Sequence, residues 1–221
     1  MQFTTLFFDL DDTLYPSTSG LWQAIKERMG LYMLEKLHIP KEEIPELRRK
    51  YYQTYGTTLR GLQRHHQVDS EDFLAFVHDL PLQRYLSPDP EIRSLICSLP
   101  QNKWIFTNAD EAHARRVLES LNLANCFQGI IDVRALDYLC KPEKEAYRVA
   151  MRLVGESDPK RCILLDDSPR NLLPARAIGI ITVLVGQIAG DPSADYTIAG
   201  LKDLPEVLPE LWKIPVAPGD Q

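Results

Sequence analysis

Residues 4–13 read TTLFFDLDDT, a short apolar run that stops abruptly in acids. A strand buried on both faces of a parallel sheet has this look, with its polar residues gathered at the carboxyl end. If 4–10 is such a strand, four later runs match it: 103–106 (KWIF), 129–133 (GIIDV), 162–165 (CILL) and 180–185 (IITVLV). Helical patterns lie between them. In 109–121, Asp110 stands near the start, and Ala114, Val117, Leu118 and Leu121 recur at helical spacing. Pro142 stands where the first turn of another helix would begin, and the amphipathic run that follows reaches Val154 and is stopped by Gly155. Alternating strand and helix predicts an α/β domain, a parallel sheet with helices on both faces.

One stretch breaks the alternation. Residues 21–86 hold no strand-like run and read as helices at 21–37, 41–55, 56–67 and 70–79. Following directly on the first strand, this block is expected to be a helical insertion into the α/β domain. That divides the chain into a core of 1–15 and 88–221 and an inserted domain of 16–87. Pro81, Pro88 and Pro90 punctuate the return, and the prolines from Pro205 to Pro218 suggest a short C-terminal helix followed by a loose tail.

Composition narrows the class. The chain has 221 residues, 44% of them hydrophobic and 25% charged, enough for a real core and unlike disorder, collagen or coiled coil. A net charge of −6 offers no basic surface to a nucleic-acid backbone, yet leaves room for a small anionic ligand. The four cysteines form no CxxC pair and read as thiols in a reducing compartment. The opening MQFTTLFFDLDD has no basic region before its apolar run, so no signal peptide is expected. The longest uncharged stretch, 177–190, is too short to span a bilayer. A cytoplasmic protein without a membrane partner is the resulting expectation.

The chemistry gathers at strand ends. In an extended chain side chains alternate, so Asp9 and Asp11 are expected to point the same way. Facing carboxylates repel unless a cation or a shared proton compensates. Mg²⁺, which prefers oxygen ligands, would fit, and an acidic turn in solvent is the plain alternative. Thr107-Asn108 follows the second strand, Lys141 the third and Asp166-Asp167 the fourth. Ligands of open parallel sheets bind at this carboxyl edge. A nucleophile, a hydroxyl, a cation and a second acidic pair there are the equipment of phosphoryl transfer.

In these residues the sequence resembles the haloacid dehalogenase superfamily of phosphohydrolases. Its motif order is DxDxT, Ser/Thr, Lys and an acidic pair. Here it stands as Asp9-Leu10-Asp11-Asp12-Thr13, Thr107-Asn108, Lys141-Pro142 and Asp166-Asp167-Ser168. The helical block resembles that superfamily's C1-type cap, and the sheet its Rossmann-like core. The flanking text DLDDTLYP, YYQTYGTTLRGL, IFTNADEAHARRVL, LLDDSPRNLLPA and DYTI with LPEVLPELW is similar to the pyrimidine 5′-nucleotidase group.

The resemblance implies a mechanism. Asp9 would attack phosphorus and form an aspartyl-phosphate. Asp11 would protonate the leaving alkoxide and then deprotonate water, with a pKa held above its neighbour's by like-charge crowding. Mg²⁺ would be bound by Asp9, the backbone carbonyl of Asp11 and Asp167, with Asp166 nearby. Thr107, the amide region of Asn108 and Lys141 would hold the phosphoryl oxygens, and Thr13 would orient the first loop. The substrate would be a small phosphorylated metabolite, first of all UMP or CMP; nicotinamide mononucleotide, pyridoxal phosphate and sugar phosphates are alternatives.

For base or sugar recognition, Tyr51, Tyr52, Tyr55, Thr57, Thr58 and Arg60 are candidates beside a plain packing role, and His65-His66 could contact substrate or a metal or simply pack. A dehalogenase would have little need of Asp11 or the Asp166-Asp167 pair. A phosphomutase shares all four motifs. A phospho-accepting receiver module would carry its acidic pair first and no helical insertion.

Overall fold

The computed structural model describes residues 3–186 and 191–213. Six parallel strands make one sheet in the order β3-β2-β1-β4-β5-β6. They are β1 (Thr5–Phe8), β2 (Asn102–Phe106), β3 (Gly129–Ile131), β4 (Cys162–Asp166), β5 (Ile181–Val185) and β6 (Tyr196–Ile198). The opening strand lies in the middle, Phe8 pairing with Ile105 on one side and Leu165 on the other.

Alternation sends its side chains to two separate cores. Leu6, Phe8, Ile105, Leu165 and Val183 pack on one face with α5 (Pro90–Ser98), α6 (Glu111–Ser120) and the C-terminal α9 (Leu204–Val207). Phe7, Phe106, Leu164 and Leu184 pack on the other with α7 (Lys144–Leu153) and α8 (Pro169–Ala177). There the Phe106 ring meets Phe7 at 5.9 Å and Tyr147 at 5.5 Å, both edge to face. Each such buried side chain contributes about 1.5–3 kcal/mol from burial.

Between β1 and β2 run α1 (Leu21–Glu35), α2 (Ile44–Tyr55), α3 (Thr58–His66) and α4 (Ser70–His78). They enclose a third apolar cluster, with Tyr32, Met33, Tyr51, Leu62, Phe73 and Val77 at its centre. Thr57 caps α3 by accepting from Arg60 N, and Asp69 caps α4. Three arginines of the sheet domain fasten this block to it. Arg116 of α6 donates to the carbonyls of His78 and Leu80 at 2.8 and 2.6 Å. Arg170 of α8 donates to the carbonyls of Tyr52 and Gln53 and lies over the Tyr52 ring. Arg134 makes a two-pronged contact with Glu71.

Two local expectations change. Pro142 does not open a helix: α7 begins at Lys144 with Glu143 at its N-cap. Residues 141–142 belong instead to a turn held from outside, because the Asn108 side chain bonds both backbone groups of Lys141. The first strand ends at Phe8, short of Leu10. The short C-terminal helix is present as α9; the expected tail at 214–221 and residues 187–190 of the uncharged stretch lie outside the described residues. No described helix is long and apolar enough to cross a membrane.

Candidate active site

The carboxyl ends of β1, β2 and β4 and the turn after β3 converge on one cavity of about 570 Å³, whose opposite wall is built by α1, α2, α3 and α4. Asp9 is fixed just beyond β1, its N–H still donating to Leu165 O at 2.9 Å. Lys141, fully buried, donates to Asp9 Oδ1 and to Asp166 Oδ2, both at 2.7 Å. Asp166 ends β4 and also accepts from Ser168 N and Asn171 Nδ2. Oxygens of Asp9, Asp166 and Asp167 lie within 4.8 Å of one another. Thr13 donates to Asp9 Oδ2 over a long 3.4 Å.

The remaining expected residues arrive at the same place by separate local devices. Thr107 follows β2, and its Oγ1 accepts from Ala109 N at 3.0 Å, turning the chain sharply. Asn108 spends its side chain on Lys141, donating to its carbonyl and accepting from its N–H at 2.9 Å each. Its side chain therefore positions the lysine, and only its backbone is left to face the cavity. Asp9, Asp11, Thr107, Asn108, Lys141 and Asp167 all line the cavity, while Asp166 lies beneath it, fully buried.

Asp11 departs from expectation. The extended period does not continue past Phe8, and Asp12 takes a φ of +59°. The Asp11 carboxylate consequently stands outside the acidic cluster and accepts from Tyr15 OH at 2.6 Å and His113 Nε2 at 3.0 Å.

The electrostatics follow from this split. Burial raises Asp9 well above the ordinary carboxylate range, and the charges of Asp166 and Asp167 add to it against the opposing pull of Lys141. Asp167 is pushed up to about 7 by burial and then by Asp166. Burial also pushes Asp11 upward, but the charge and hydrogen bond of His113, with the Tyr15 hydroxyl, leave it below its ordinary value. The expected order of the two carboxylates is thus reversed: the crowding falls on Asp9, and the donors fall on Asp11. Three crowded carboxylates answered by one ammonium make a site that favours a further cation, and the all-oxygen donor set suits a hard divalent one.

The sequence reading missed a line of side chains at the cavity's edge. His78, ending α4, meets Asp110 Oδ2 through Nδ1 at 2.5 Å. Its ring stacks on His113 with centroids 4.0 Å apart and planes 17° from parallel. Asp110 was legible as a helix start, and it does cap α6 by accepting from His113 N. The histidines gave no signal, because their partners come from elements remote in sequence.

Among the specificity candidates, Tyr52, Thr57 and Thr58 line the cavity. Tyr51 and Tyr55 instead meet His66 and His65 through their hydroxyls at 3.0 and 2.8 Å, so both histidines lie on the exposed side of the helical block against tyrosines. Arg60 pairs with Glu143. Trp22, Lys26 and Arg48 line the cavity unforeseen, and Arg48 Nε is buried without a hydrogen-bond partner among the described residues.

Comparison with known proteins agrees with this geometry. A family model described as a haloacid dehalogenase-like hydrolase matches residues 3–179. Phosphate metabolism protein 8 of Saccharomyces cerevisiae is 30% identical over 188 residues, which cover 79% of this chain; the match spans only 59% of the yeast protein's length. The crystal structure of CbbY from Rhodobacter sphaeroides in complex with phosphate superposes with a TM-score of 0.64 at 18% identity, covering 92% of this chain and 96% of that one. The magnesium-bound HAD-hydrolase YfnB from Bacillus subtilis gives 0.60 at 15% identity, covering 93% and 98%. Likeness at such identities is a likeness of fold.

Proposed function

The chain belongs to the haloacid dehalogenase-like hydrolases, and from that premise we propose a phosphomonoesterase that works through an aspartyl-phosphate on Asp9. The observation that carries the reading is the floor of the cavity, where Lys141 joins Asp9 to Asp166 beside Asp167. A carbon-attacking dehalogenase would have little need of that acidic cluster. Lys141 holds one Asp9 oxygen, which fixes the carboxylate for attack by the other. The new bond joins that oxygen to phosphorus as the bond to the leaving oxygen breaks. Lys141, the Thr107 hydroxyl and the backbone of Asn108 hold the phosphoryl oxygens.

Asp11 gives the leaving alkoxide its proton and later takes one from the water that hydrolyses the intermediate. The donors His113 and Tyr15 keep Asp11 ionised and so able to accept a proton; for the first task, the arriving phosphate's negative charge raises its hold on a proton. Mg²⁺ is the cofactor we assign. Asp9, Asp166 and Asp167, with the backbone carbonyl of Asp11, would hold it, and it supplies charge neutralisation between the acids and the phosphate. The neighbours crystallised with phosphate and with magnesium support this assignment.

In this reading residues 16–87 are a cap over the core formed by 1–15 and 88–221, and the cap wall chooses the substrate. Trp22, Tyr52 and Phe73 supply ring faces, Thr57 and Thr58 hydroxyls, and Arg48 a guanidinium with an unspent donor. A planar leaving group rich in acceptors suits that wall, which supports a pyrimidine 5′-nucleotidase acting on UMP or CMP. We assign the enzyme to the cytoplasm, a reducing compartment in which its four free cysteines would persist as thiols.

The test is phosphate release from a panel of phosphomonoesters, with Mg²⁺ and with chelator, for the wild type and Asp9→Asn. Release that peaks on UMP or CMP, needs the metal and vanishes in the variant is expected. A peak on another ester keeps the mechanism and moves the substrate; a phosphoryl group transferred to a sugar instead of water makes the protein a mutase. No release from any ester sinks the proposal.

A further inference from the structure

Asp11 is tied by one oxygen only. Tyr15 OH and His113 Nε2 both donate to Oδ1, and among the described residues nothing donates to Oδ2. Asp11 lines the cavity, and its unbonded Oδ2 is not buried. A carboxylate whose two oxygens are so unequally engaged has one anchor and one working atom.

The anchor is itself built from both halves of the molecule. His113 is almost fully buried on α6, and its Nε2 faces an acceptor, so that nitrogen carries the hydrogen; the buried Nδ1 has no partner among the described residues. An unpaired buried ring nitrogen lowers stability and asks for a reason. What holds the ring is the parallel face of His78, which ends α4 in the helical insertion. His78 is in turn fixed by Asp110, the residue that caps the helix carrying His113. Arg116, also on α6, grips the carbonyls of His78 and Leu80 where the insertion returns to the sheet domain. The chain of contacts Asp110–His78–His113–Asp11 closes on a single helix.

We propose that His113, steadied by the stacked His78, is a positioning residue that fixes Asp11 by Oδ1 and leaves Oδ2 as the atom that passes the proton to the leaving group. Neither histidine donates or takes a proton in the reaction; they act through Asp11. Because His78 belongs to the insertion, the aim of Asp11 depends on how the helical block sits on the sheet domain. The inference rests on Asp11 being the acid of the proposed reaction.

The choice of leaving group tests it. A nucleoside 5′-monophosphate leaves as an alkoxide that needs a proton, whereas p-nitrophenyl phosphate leaves as a stable anion that does not. The single-turnover rate of leaving-group release, which precedes the hydrolysis step common to both esters, is measured against substrate concentration with Mg²⁺ on both esters for the wild type, Asp11→Asn, His113→Ala, His113→Gln and His78→Ala.

The expected result is a loss of about 10- to 100-fold in that first-step rate for His113→Ala on the nucleotide, a part of what general acid catalysis supplies, with about 3-fold or less on the aryl ester and the half-saturating substrate concentration little changed. Activity on the aryl ester in the same preparation shows that the variant is folded. His113→Gln, whose amide can donate from nearly the same place, recovers part of the loss. His78→Ala shows the same selectivity more weakly. An equal loss on both esters, or none on either, overturns the proposal. If Asp11→Asn is selective and His113→Ala is not, the inference alone falls. If Asp11→Asn is itself unselective, the acid role of Asp11 falls and the inference with it.

Discussion

Lys141 holds two carboxylates with one charge, and neither has another cation within salt-bridge reach among the described residues. Lys141→Met strands Asp9 and Asp166 as buried anions. A stability loss of about 3–5 kcal/mol is expected in urea unfolding, with activity near background. Mg²⁺ should restore part of the stability and none of the activity. His78 gives a pH test. Burial, and then the neighbouring charge of His113, hold it below its ordinary 6.5, against the pull of Asp110 and Asp11. The unfolded chain therefore takes up a proton before the folded one does. The stability this group contributes is present above about pH 6.5 and is lost as the pH falls below it. Asp110, held low by its partners, loses its own contribution only below its ordinary 3.8. Unfolding free energies at about pH 7.5 and pH 5.5 should differ less in His78→Gln than in the wild type. The sequence showed the acids, the threonine and the lysine because each follows an apolar strand. It did not show His78 facing His113, a meeting of two helices with no pattern in either.

Helices α2 and α3 meet at Gly61, where an added Cβ would stand 2.2 Å from the Tyr51 ring. Alanine normally improves a helix by about 0.5–1 kcal/mol over glycine. Here the clash should win: Gly61→Ala is expected to cost about 1–3 kcal/mol in thermal unfolding, as overpacking does. Because α2 carries Tyr52 to the cavity wall, its KM for the preferred nucleotide should rise while kcat changes less. Long periodic helices such as α1 and α6 were legible to within a few residues. The elements that escaped were short or irregular. β6 has only three residues. Helix α8 holds Pro174 inside its nine residues, and α5 lies in the return punctuated by Pro81, Pro88 and Pro90, where no helix was expected.

The cavity belongs to neither half alone: its floor comes from strand ends and its roof from the insertion. No local pattern could announce it, although the strand-helix alternation announced the sheet beneath. A ligand that binds only the folded site stabilises it, by about 2.7 kcal/mol at a hundredfold excess over Kd. Mg²⁺ should accordingly raise the melting temperature, chelator should reverse this, and Asp167→Asn should abolish most of the shift. The central place of β1 bears on how the protein is made. Thr5 pairs with Asn102 on one side and Cys162 on the other. On the ribosome this strand emerges long before either neighbour, while the helical insertion behind it has its own apolar cluster. The nascent chain must therefore carry an apolar strand with no partner until β2 is synthesised and with one edge open until β4 follows, and a chaperone that shields Leu6, Phe7 and Phe8 would find its longest opportunity there.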